Sequence, residues 1–143
     1  MGKVMVYSGP GLAQQIRAGG HVLVADEPVE AGGTDTGPDP YSLLLAALGA
    51  CTSMTLKLYA RRKAWPLADV VVELDFSRVY AEDCEHCEDP RALLDRVDRR
   101  IVLHGPLDDA QVARLAEIAK KCPVHKTLTA GLQVHDQVSR AAA

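Results

Sequence analysis

Apolar and polar positions alternate in short runs over the first third of the chain, at residues 4–8, 12–17 and 21–26, with Gly-Pro and Gly-Gly turns between them. Period-two alternation broken by such turns predicts an antiparallel meander. A loop rich in Gly, Asp and Pro at 30–39 leads to Asp39-Pro40, an acidic N-cap with proline at the first helical position. The helix predicted from there runs to Arg62 or Lys63. Its stretch from Tyr41 to Leu56 carries no charge over 16 residues, yet includes Ser42, Thr52, Ser53 and Thr55. It is too short and too hydroxylated for a membrane span, and is expected to be a helix buried on most sides.

Residues 70–77 alternate again, with Val72, Leu74 and Phe76 opposite Glu73, Asp75 and Ser77, which predicts a half-buried strand. A shorter strand is expected at 100–105, after an acidic connector at 82–95. A second helix is predicted over 109–121, with Asp108 as N-cap and Gln111 as its capping-box partner, ending at Cys122 and Pro123. A last strand is expected at 131–138, followed by a frayed alanine tail. This order suggests a single α+β domain over residues 1–143, with antiparallel sheet wrapped around a buried central helix. A sheet covers only one side of a helix that is apolar nearly all round, so a homodimer is expected to cover the other.

Composition narrows the functional classes. A hydrophobic content of 48% over 143 residues supports a core that needs neither metal nor disulfide to fold. Sixteen basic and nineteen acidic residues are spread along the chain, with no basic cluster to suit a nucleic-acid partner. The N-terminal residues read as a strand and not as a signal peptide, so a cytoplasmic location is expected, with no membrane partner. In a reducing compartment the four cysteines are more readily catalytic, metal-bound or inert than structural disulfides.

Cys51 lies inside ALGACTSMTL, where it reads either as a small buried hydrophobe or as a nucleophile in need of activation. Cys122 lies in KKCPVHK, where Lys120, Lys121, His125 and Lys126 favour a thiolate, while the C-terminal dipole of the helix predicted to end there opposes one. That balance favours Cys122 as a resolving partner and not as the first attacker.

GPDPYSLLLAALGACTSMTL resembles the helix of the OsmC/Ohr family that carries the first reactive cysteine, and AEIAKKCPVHKTL resembles the segment that carries the second. The resemblance spans most of the chain. It implies an intertwined homodimer and a cofactor-free thiol peroxidase acting on hydroperoxides, with its site at the subunit interface. It further implies that Cys51 attacks the peroxide to give a sulfenic acid, that Cys122 closes a disulfide with it, and that an external dithiol reductant restores both thiols. Where the family places a glutamate that helps hold an arginine over the thiolate, ten positions before the first cysteine, this chain has Tyr41. Tyr41 is thus a candidate residue of the substrate pocket, and Arg17 the candidate activating arginine. An organic hydroperoxide is the favoured substrate, because the uncharged helix suits an apolar pocket.

A different chemistry is open to Cys84 and Cys87 in EDCEHCED. With Cys122 and His125 they compose a set of the kind that binds structural zinc, on a non-catalytic, ligand-binding version of the same scaffold. No phosphate loop, H-x-x-x-H pair or G-x-S-x-G elbow is present.

Overall fold

A computed structural model describes residues 2–80 and 93–142. The strands β1 (Val4–Ser8), β2 (Gln14–Ala18) and β3 (His21–Ala25) form the expected meander, both pairings antiparallel, with Ile16 of β2 opposite Val6 and Leu23. The helix α1 follows at Pro40–Lys63, then the paired strands β4 (Asp69–Tyr80) and β5 (Leu93–His104), and the helices α2 (Asp109–Ala119) and α3 (Pro123–Ala130). On β4 and β5, Glu73 bonds Arg100 and Arg78 bonds Asp95, so the ribbon is antiparallel. The chain is a mixed α+β fold, as the alternation and helix periods predict.

Internal contacts divide the chain into two units: Met1–Ala50 with Val72–Ile101, and Cys51–Val71 with Val102–Ala143. In the first, the loop into α1 is organised by Asp26, which is 3% exposed. Its carboxylate accepts from the hydroxyls of Thr36 (2.6 Å) and Thr34 (2.7 Å), and from the N–H groups of Glu27, Thr34 and Thr36. These bonds, Thr36 first, hold it well below the usual carboxylate range against the opposing effect of its burial. α1 then starts where Asp39 accepts from the Ser42 N–H at 2.7 Å. Arg61, Arg62 and Lys63 in its last turn complement the helix dipole.

The second unit holds the fullest burial. Thr52, Leu56 and Ala60 recur every fourth residue along α1, and with Leu115, Ile118 and Ala119 of α2 and Cys122 they are all 5% exposed or less. Tyr59 is fixed at the edge of this core, accepting from Arg114 Nε at 3.1 Å and meeting Trp65 edge-on. α2 begins on the complete Asp108–Gln111 capping box.

Four expectations are corrected. α1 is buried along one stripe and not on most sides: Leu44, Met54 and Leu58 are 40%, 64% and 48% exposed, because one chain supplies cover for one face. The strand expected at 100–105 begins at Leu93, so 93–95 are not connector. Its charges hid it: Asp95 and Arg100 pair with β4, and Arg96 with Asp98, on exposed faces of the ribbon. The second helix ends two residues early, and a third helix starts at Pro123 where the chain was expected to stop being helical. Residues 131–138 form no strand, since among the described residues no strand edge pairs with them; Leu132, Val134 and Val138 stand 69%, 80% and 93% exposed. Cys84 and Cys87 lie outside the described residues.

Candidate functional site

Cys51 and Cys122 come together. Cys51 sits midway along α1 with its side chain half-buried, and Cys122 is the fully buried residue between α2 and α3. Both are free thiols whose sulfurs hydrogen-bond each other. Two threonine hydroxyls, one from each side of a single helical turn, complete the cluster: Thr55 bonds Cys51 and Thr52 bonds Cys122. Neither threonine was singled out as a site residue from the sequence, although a hydroxyl one turn after a helical cysteine falls on the same face.

The third helix reverses the electrostatic argument made from sequence. Cys122 is the N-cap of α3, with Pro123 in its first turn, so the sulfur faces the positive end of a helix dipole. It makes no tight capping bond there. The N–H groups of His125 and Val124 reach it as looser N–H···S contacts, which act mainly on a charged sulfur. Burial pushes the Cys122 thiol up, but the bonds from Cys51, His125, Val124 and Thr52 outweigh it and leave the thiol below its usual range. Cys51 goes the other way: burial, and then the neighbouring Cys122, push it up. The two shifts run in opposite directions, because the donors at the start of α3 act on Cys122 while Cys51 feels mainly burial and its neighbour. Lys120, Lys121 and Lys126 are exposed and are not among the leading influences.

Arg17 and Tyr41 belong to the other unit and are described there. Arg17 is exposed on β2, its Nε donating to Gln15 and its guanidinium over the Tyr7 ring. Tyr41 stacks on Phe76, ring centroids 4.6 Å apart, and its hydroxyl meets a different arginine, Arg78. Asp95, at 3.0 Å, and then Tyr41 hold that guanidinium firmly protonated. The residue that stands in place of the expected glutamate thus still engages an arginine, one the sequence did not single out. Of the possible zinc ligands, Cys122 and His125 are described, and among the described residues no group of three or more His, Cys, Asp or Glu side chains could hold a metal ion.

Residues 33–135 match the family model for OsmC-like protein. The chain belongs to the OsmC-like family. No curated protein matches the chain. Solved structures of this family share the fold. The OsmC-like protein of Mycoplasma pneumoniae superposes with a TM-score of 0.71 at 18% identity, covering 90% of this chain and 87% of that one. The organic hydroperoxide resistance protein OhrB of Bacillus subtilis gives 0.59 at 23% identity, covering 88% of each chain. An organic hydroperoxide resistance protein OsmC from Legionella pneumophila gives 0.62 at 19%, covering 88% of this chain and 87% of that one. Among the described residues α1 is the one helix long and apolar enough to cross a membrane, by length and composition alone.

Proposed function

We propose that this OsmC-like protein is a cysteine-based peroxidase of oxidative-stress defence that reduces organic hydroperoxides. The observation that carries this reading is the hydrogen-bonded pair of free thiols, one accessible and one fully buried. Cys51, the accessible sulfur, attacks the distal oxygen of the hydroperoxide as its proton is taken up within the pair. The O–O bond breaks, the organic oxygen leaves with a proton as the alcohol, and Cys51 becomes a sulfenic acid. Cys122 then attacks the Cys51 sulfur, displacing hydroxide that departs as water, and a disulfide remains. An external dithiol reduces it. The hydroperoxide accepts two electrons and the two thiols lose them, with no cofactor required.

Two structures of similar fold are described as organic hydroperoxide resistance proteins, and the uncharged run from Tyr41 to Leu56 suits an apolar substrate. The reading is tested by adding one equivalent of cumene hydroperoxide to the reduced protein. Two thiols per chain should be lost and one equivalent of alcohol formed; unchanged thiols would count against it.

We also propose that the working form is a cytoplasmic homodimer. Val6 and Val22 of the meander are 56% and 61% exposed, and the bare face of α1 carries Leu44, Met54 and Leu58. Exposed apolar surface of this kind is ordinarily covered. Equilibrium sedimentation at micromolar concentration should give twice the chain mass, and a monomer would contradict the assignment.

A further inference from the structure

The disulfide proposed above has two sulfurs in unequal surroundings, and this decides how it reopens. An incoming thiolate must reach a sulfur roughly in line with the S–S bond. Cys51 is half-buried and can be reached, whereas Cys122 is 0% exposed. Attack therefore falls on Cys51, and Cys122 is the sulfur that departs. The rate of such an exchange rises with the stability of the departing thiolate. A thiolate released into the core has no water to solvate it, so it depends on donors already in place.

The structure supplies three: the N–H groups of Val124 and His125 at the start of α3, and the hydroxyl of Thr52. Thr52 is itself 0% exposed. A threonine hydroxyl inside a helix can donate to the carbonyl one turn earlier, but a thiolate is a stronger acceptor than a neutral carbonyl. As charge develops on Cys122, the Thr52 hydroxyl is drawn to it. We infer that Thr52 is a positioning residue for the reductive half of the cycle, holding Cys122 as the leaving sulfur when an external dithiol reopens the Cys51–Cys122 bridge.

The step balances. One thiolate of the dithiol bonds to the Cys51 sulfur and breaks the S–S bond, and Cys122 leaves with the electron pair. The second thiol of the reductant then attacks the mixed disulfide and frees Cys51. The dithiol ends as a cyclic disulfide, two electrons have passed to the protein, and its two protons are shared between the cysteines and solvent.

The inference rests on the disulfide reading, but its test avoids peroxide. The bridge is made with diamide, and its reduction by dithiothreitol is followed as a second-order rate. Thr52→Val should slow that rate about fivefold, with Thr52→Ser close to wild type. In the Cys51→Ser background, ultraviolet absorbance of the Cys122 thiolate should titrate about one pH unit higher when Thr52 is valine. A purely packing role for Thr52 would move neither quantity. A second measurement needs no core substitution: the wild-type bridge is opened with a monothiol and quenched with iodoacetamide. The mixed disulfide should be on Cys51 and the alkyl group on Cys122. A Thr52→Val bridge reduced as fast as wild type, a mixed disulfide on Cys122, or failure of diamide to form the bridge would each overturn the inference. Failure to react with hydroperoxide, with the bridge behaving as described, would remove the proposed function and leave this assignment standing.

Discussion

Cys51→Ser should lower the rate of cumene hydroperoxide consumption by about a thousandfold or more, to the level of the uncatalysed reaction, because it removes the accessible sulfur of the pair. Cys122→Ser should behave differently. Its first oxidation should still occur, since Cys51 remains half-buried and within reach of solvent. Turnover should then stop after one equivalent, with a sulfenic acid at Cys51 that reacts with dimedone. The contrast distinguishes an attacking sulfur from a resolving one. Stopped-flow traces of the three proteins would reveal it, and equal rates for wild type and Cys51→Ser would sink the assignment.

The second large effect concerns the scaffold. Gly105→Ala should cost about 3 kcal/mol of stability, from strain at an unfavourable backbone conformation together with a backbone clash. Gly105 has φ +137°, and a Cβ built there would lie 2.1 Å from the carbonyl oxygen of Pro66 and 3.1 Å from the nitrogen of Ala68. The close approach is needed because β5 ends against the segment that leaves α1: the Ala68 N–H donates to the His104 carbonyl at 2.8 Å. Neither neighbour is a flexible side-chain end, so both strands of backbone would have to move. Urea unfolding should show the loss as a lower midpoint, and a change below about 0.5 kcal/mol would mean the turn relaxes freely.

Much of the fold was legible because its signals are local. The meander follows from alternation and glycine turns, α1 from Asp39-Pro40, and α2 from the Asp108–Gln111 box. What was not legible depended on partners. β5 looks like charged connector until Asp95 and Arg100 are set against Arg78 and Glu73. Residues 131–138 alternate like a strand, but alternation supplies no edge to pair with.

The site divides in the same way. Cys51 and Cys122 stood out through their sequence contexts, and the fold brings their sulfurs together. The polarity of the pair did not, because a proline after Cys122 signals the end of one helix and here also begins another. That single misplacement put the wrong end of a dipole at Cys122. Tyr41 departs visibly from the family pattern, but its partner Arg78 lies 37 positions away on β4, beyond anything spacing can reveal. Thr52 and Thr55 argue in the sequence only against a membrane span, and their bonds to the two sulfurs give them a further use.

Whether Cys51 and Cys122 act as one redox unit is tested by a non-reducing peptide map after one equivalent of cumene hydroperoxide. A single new cross-link is expected, joining the Cys51 peptide to the Cys122 peptide, and it should vanish on treatment with dithiothreitol. A map in which Cys51 and Cys122 both remain free thiols, or in which the new disulfide joins Cys84 to Cys87, would contradict it.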